Sequence, residues 1–170
     1  RLAGARIRGA GMSEEKRGPA DLHLESFLPY RLNVVSALTS QALSRIYAER
    51  YGIGVPEWRV LVTLGQYGTM TGKAIGLHSH MHKTKVSRAV ALLENRNLVT
   101  RKVNHNDQRE TFLSLTVAGR TIYDELVPTA LDFERALLDI LDPSERASFD
   151  RMLDKLIKRS MMLDENAGKD

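Results

Sequence analysis

Residues 82–119 read HKTKVSRAVALLENRNLVTRKVNHNDQRETFLSLTVAG, and a change of period inside this stretch decides the fold. Val86, Ala89, Val90 and Leu93 fall at i, i+3, i+4 and i+7, the apolar stripe of an amphipathic helix from about Lys83 to Arg96. Leu98–Val103 and Thr111–Leu115 then read as two short strands. The polar, turn-rich residues 104–110 between them make a hairpin the economical connection. Thr116 is an N-cap candidate for the helix that follows, and Gly119 does not prevent that helix.

Upstream, Thr71 is a plausible N-cap for a short helix from Gly72 to His80. Pro56 suits the first position of the helix before it, which carries Trp58, Leu61, Val62 and Leu64 and stops near Gly68. Val34, Val35, Leu38, Ala42 and Ile46 recur at helical spacing in a long first helix from Leu24 to Glu49, closed by Gly52 and Gly54. Downstream, the helix capped by Thr116 should run to about Leu141, with a kink or local break at Pro128. Asp142-Pro143-Ser144-Glu145 is a strong start for a last helix with Phe149, Met152, Leu153, Leu156, Ile157 and Met161 on one stripe.

Helix, turn, helix, strand, loop, strand is the order of a winged helix-turn-helix. The expected fold is mainly α with a small β-hairpin: a winged lobe at 56–119 and a helical dimerisation domain from 20–55 and 120–164. Residues 1–19 and 165–170 are expected to be tails outside the fold, with Met12 a candidate natural start. The end helices carry apolar faces that the short middle cannot cover, which points to a homodimer.

The charge is uneven. Seven lysines and arginines between His82 and Arg109 (Lys83, Lys85, Arg88, Arg96, Arg101, Lys102, Arg109) face only Glu94 and Asp107, while the whole chain has a net charge of +4. The rest of the chain is therefore slightly acidic. Such a concentrated basic segment attracts polyanions, because each neutralised phosphate releases counterions.

The absence of cysteine excludes disulfide scaffolds, thiolate metal sites and thiol nucleophiles. Neither a secretory h-region nor a stretch apolar enough to cross a bilayer is present, and a cytoplasmic address is expected. The scattered acids and the lack of a Gly-rich phosphate loop give no catalytic constellation, so neither an enzyme nor a cofactor is expected. His78, His80 and His82 alternate at i, i+2 and i+4. Adjacent members of that series point apart on a helix and no carboxylate is nearby, so no metal site is expected.

His82, Lys83, Thr84, Lys85, Ser87 and Arg88 lie mostly off the apolar face of their helix. An exposed first turn of hydroxyls and cations suits the major groove, where Arg and Lys read guanine edges and the helix N-terminus favours a phosphate. Arg101 on the first strand and Arg109 near the hairpin tip extend this set. Asp107 would orient the Arg109 guanidinium as it enters a minor groove. Tyr30, Arg31, Ser36, Trp58 and Arg59 are the candidates for a small-molecule pocket, with Trp58 more naturally a core residue.

The stretch Asp107-Gln108-Arg109 followed by Leu115-Thr116-Val117-Ala118-Gly119 resembles the wing signature of the MarR family of bacterial regulators, Asp-x-Arg, then Leu-Thr-x-x-Gly. Glu57-Trp58-Arg59-Val60-Leu61, Thr84–Arg88 and Leu92–Arg101 are similar to that family's second helix, its recognition helix and the exit into the wing. The resemblance covers roughly Leu24 to Met161. It implies a triangular dimer that straddles a pseudo-palindromic double-stranded DNA operator, often as a repressor. It also implies release by a small effector, aromatic or thioester, held between the dimer domain and the lobe. Two positions depart from the family. Asn97 stands where glycine is usual but tolerates the left-handed conformation. Val55 stands where a hydroxyl or acidic cap is usual, which should weaken the start of that helix by about 1 kcal/mol. The alternative is a winged module that binds a protein or a metabolite instead of DNA, or a metal-responsive regulator.

Overall fold

The computed structural model describes residues 21–103 and 111–167. In chain order these hold α1 (Leu28–Tyr51), α2 (Val55–Tyr67), β1 (Met70–Thr71), α3 (Gly72–Ser79), α4 (Lys83–Asn95), β2 (Val99–Val103), β3 (Thr111–Leu115), α5 (Val117–Leu138) and α6 (Pro143–Ala167). The chain divides into two compact units, one ending at Leu38 and the other beginning at Thr39.

The described part of the first unit is a turn followed by the start of α1. Ser26 and Phe27 donate to the carbonyls of His23 and Leu24, so the helix begins at Leu28 rather than at Leu24. Leu28, Leu32, Val35 and Leu38 are all exposed.

The second unit holds the core. Val60, Leu61 and Leu64 of α2, Ile75 of α3, and Val86, Ala89, Val90 and Leu93 of α4 are almost wholly buried, with Leu98, Val99 and Leu113 closing the sheet side. The stripe expected for α4 is therefore its buried face. Each buried branched side chain contributes on the order of 2 kcal/mol, so this cluster dominates the stability of the unit.

The hairpin is one part of a three-stranded sheet of order β1-β3-β2. Met70 pairs with Leu113 and Thr71 with Phe112, while β2 and β3 run antiparallel from Val99–Leu115 to Val103–Thr111. Thr71 serves twice, ending β1 and accepting from the Ala74 amide at 3.2 Å as the N-cap of α3.

Local chemistry fixes the other helix ends. Gly54, not Val55, is the N-cap of α2, and the Glu57 carboxylate accepts from the Gly54 amide at 2.8 Å. Val55 and Pro56 are the first two helical residues, so the expected weak cap at Val55 does not arise. Thr116 caps α5 by accepting from the Gly119 amide at 3.0 Å. Asp142 and Glu145 form a reciprocal capping box at α6, with Asp142 Oδ1 accepting from Glu145 N and Glu145 Oε2 from Asp142 N, each at 2.9 Å. Asn97 has φ 57°, the left-handed conformation expected of it at the exit from α4. α5 continues through Pro128 without a break and ends at Leu138.

Phe149, Met152, Leu156, Ile157 and Met161 form an exposed apolar stripe on α6. No described helix is long and apolar enough to cross a membrane.

Candidate nucleic-acid interface

α4 has two faces of opposite chemistry. With Val86, Ala89, Val90 and Leu93 turned into the core, Lys83, Thr84, Lys85, Ser87 and Arg88 are exposed. His82 is the N-cap and makes no side-chain capping bond, and the first turn holds no acid. Lys83 and Lys85 therefore sit where the helix's own partial charge is positive, an arrangement that costs the isolated helix a few tenths of a kcal/mol. Among the described residues, no carboxylate pairs with Lys83, Lys85 or Arg88. An external polyanion would satisfy all of these groups together.

A groove of about 680 Å³ lies between α3, α4 and the sheet. Lys73, Lys83, Ser87 and Arg101 line it together with Met81 and Leu113. Lys73 is a cation that the sequence reading passed over, because its short helix has no clear polar face. Among the described residues, Arg101 is the one predicted DNA contact already occupied. Its Nε and Nη2 donate to the two Glu94 carboxylate oxygens, both at 2.9 Å. This bidentate bond raises the pKa of the guanidinium, and it holds β2 against the last turn of α4.

A smaller recess of about 290 Å³ gathers Pro56, Arg59, His80, Met81, His82 and Lys85. Arg59, a candidate for the small-molecule pocket, thus borders the first turn of α4. Trp58 is half-buried and stacks on Tyr47, with ring centroids 5.2 Å apart and planes 15° from parallel. Burial raises the Tyr47 pKa, and the charge of Arg59 partly offsets that rise. This is the core role expected of Trp58. Tyr30, Arg31 and Ser36 lie on the part of α1 that belongs to the first unit.

The three histidines have separate settings. His78 packs on Tyr67 with centroids 4.4 Å apart, His80 ends α3 in the left-handed conformation, and His82 precedes α4. No cluster of three potential metal ligands occurs among the described residues. Asp107 and Arg109 lie outside the described residues.

Arg96, counted above with the basic segment, faces elsewhere. Its guanidinium donates to the carbonyls of Tyr51 at 2.5 Å and Gly52 at 3.1 Å. Nothing local in the sequence connects these positions, which lie 44 and 45 residues apart.

The MarR family model matches residues 53–111, the segment from the start of α2 to the second wing strand. The chain is 29% identical over 104 residues to YwoH of Bacillus subtilis, an HTH-type transcriptional regulator, a match that spans 61% of this chain and 75% of YwoH. A MarR family transcriptional regulator from Silicibacter pomeroyi superposes with a TM-score of 0.70 at 28% identity, covering 81% of this chain and 91% of that one. The winged segment of the chain is therefore similar to the MarR family. The fold extends to the MepR–DNA complex of S. aureus, with a TM-score of 0.70 at 21% identity over 78% of this chain and 98% of that one. In MarR terms, α3 and α4 are the helix-turn-helix and β2–β3 the wing, with β1 closing the sheet. The signature glycine also has a physical reason here. A Cβ on Gly119 would lie 2.0 Å from the Leu98 carbonyl oxygen, so only glycine lets α5 start this close to the base of the wing.

Proposed function

We propose that the protein is a homodimeric, sequence-specific double-stranded DNA-binding regulator, a repressor released from a pseudo-palindromic operator by a small effector. The observation that carries this reading is the division of α4 into a buried apolar face and an exposed face whose cations have no carboxylate partner among the described residues. Lys83 and Arg88 would read base edges, Thr84 and Ser87 would bond bases or phosphates, and His82, Lys85 and Arg59 would face the backbone. Arg101 would act from its Glu94 clamp, with Arg109 and Asp107 following the family's wing signature. The fold of the MepR–DNA complex supports a winged lobe of this kind on a duplex.

Titrating a duplex at increasing salt tests the reading. Log affinity is expected to fall linearly with log salt, with a slope of about −0.9 per phosphate neutralised. Affinity that ignores salt would overturn it.

The exposed stripes of α5 and α6 support self-association. Leu131 and Leu137 on α5 and Phe149, Met152 and Leu156 on α6 are large apolar side chains left exposed, the kind of face that an interface covers. Sedimentation is expected to show twice the chain mass of 19.1 kDa. Leu156→Asp should move that equilibrium toward the single chain, because an interface core cannot take an unpaired carboxylate. A variant that stays fully dimeric would remove Leu156 from the interface.

The effector is proposed to act through the dimer helices and the lobe, with Tyr30, Arg31 and Ser36 as candidate contacts. It needs only to favour a lobe spacing that misfits the operator, and a differential affinity of a few kcal/mol is enough.

A further inference from the structure

The last carbonyls of a helix have no following turn to donate to them. At the end of α1 these include Tyr51 and Gly52, and Arg96 reaches both with one guanidinium. Gly52, at φ 60°, turns the chain away and leaves the two oxygens on offer to the same planar fork. The Tyr51 hydroxyl in turn donates to the Glu125 carboxylate on α5, and Arg50 Nη2 lies 3.1 Å from the same Glu125 oxygen. Arg96 itself is the C-cap of α4, followed directly by the reversal at Asn97 into β2. One side chain thus fastens the junction of recognition helix and wing to the end of α1, and Tyr51 carries the connection on to α5.

Arg96 is poorly placed to meet the duplex that Lys83 would meet. α4 has 13 residues, so the two ends are about 20 Å apart along its axis. Two of the five guanidinium donors are already spent on carbonyls. That length also makes α4 a lever. A tilt of roughly 10° about the Arg96 end carries the Lys83 end about 3 Å, more than a hydrogen bond tolerates.

We propose that Arg96 is a positioning residue for duplex recognition, holding the end of α1 so that α4 and the wing are presented at one fixed angle. The inference rests on the DNA-binding reading above and adds to it a part that touches no nucleic acid.

The test compares two duplexes of equal length, one selected by the wild-type protein from a random pool and one of random sequence. For Arg96→Gln, the ratio of the two affinities is expected to fall about tenfold, the usual size of a coupling effect. Binding to the random duplex and the salt slope should stay unchanged. Arg96→Lys keeps the charge but not the planar fork, and should lose about threefold in the same ratio; it decides the matter if the glutamine variant fails to fold. A slope reduced by about one, with both duplexes weakened alike, would make Arg96 a phosphate contact and overturn the proposal. So would an unchanged ratio in Arg96→Gln, or a lysine variant equal to wild type. Wild-type protein that binds no duplex in a salt-dependent way sinks the DNA reading itself. Loss of binding on substituting Lys83 and Arg88, with Arg96→Gln neutral, sinks this inference alone.

Discussion

Gly119→Ala is expected to lower the unfolding free energy by about 3 kcal/mol, among the largest effects of any single methyl group in this chain. The added Cβ would lie 2.0 Å from the Leu98 oxygen and 3.0 Å from the Leu98 carbonyl carbon. Both are backbone atoms, so no rotamer change relieves the clash. The Leu98 carbonyl also accepts from the Thr116 amide at 3.0 Å, and the Asn97 carbonyl accepts from Thr116 Oγ1 at 2.6 Å. Moving α5 away therefore disturbs the bonds that join it to the base of the wing. Thermal unfolding at fixed protein concentration should show a drop of about 10 °C for a domain of this size. Gly72→Ala is the control, because its Cβ would meet nothing within 4 Å. That variant should be neutral or slightly stabilising, since alanine restricts the unfolded chain. A loss below about 1 kcal/mol at Gly119 would mean that α5 can slide off Leu98 at little cost.

Replacing Lys83 and Arg88 together by alanine is expected to weaken duplex binding about 100-fold near 0.1 M salt, from about 1.4 kcal/mol at each contact. The salt slope should lose up to about two units, according to how many of the two cations lie on phosphates. Stability should change by less than about 0.5 kcal/mol, because both side chains are exposed and neither is paired with a carboxylate among the described residues. The Lys83 substitution should contribute a small gain, because its charge opposes the dipole of α4. Fluorescence anisotropy across a salt series and a melting curve on the same samples separate the two effects. Unchanged affinity in the folded double variant would take α4 out of the interface.

The helices were legible because their signals are local. The stripe from Val86 to Leu93, the caps at Thr71, Thr116 and Asp142, and the left-handed Asn97 each depend on neighbours within a few residues. β1 was not legible. Met70 and Thr71 are too few to show a period, and they become a strand only by pairing with Leu113 and Phe112, far along the chain. The cap of α2 was misplaced at Val55 because Pro56 was set at the first helical position, whereas the Glu57 carboxylate reaching Gly54 starts the helix one residue earlier.

The candidate site divides in the same way. Lys83, Thr84, Lys85, Ser87 and Arg88 follow from helical period alone. That Arg101 is clamped by Glu94 and that Arg96 serves α1 depends on tertiary packing, which charge counting cannot see. Among the described residues, a basic segment read as one patch is thus sorted by the fold into exposed cations on α4 and β2 and cations with structural partners.

Among the described residues, the strand order β1-β3-β2 leaves β2 with one open edge, and the residues along it are Thr100, Arg101, Lys102 and Val103, all exposed. Bare backbone of this kind can template a stranger's strand, and adjacent cations on a short edge are a common deterrent. Ribbon-to-ribbon growth is thereby discouraged in crowded solution.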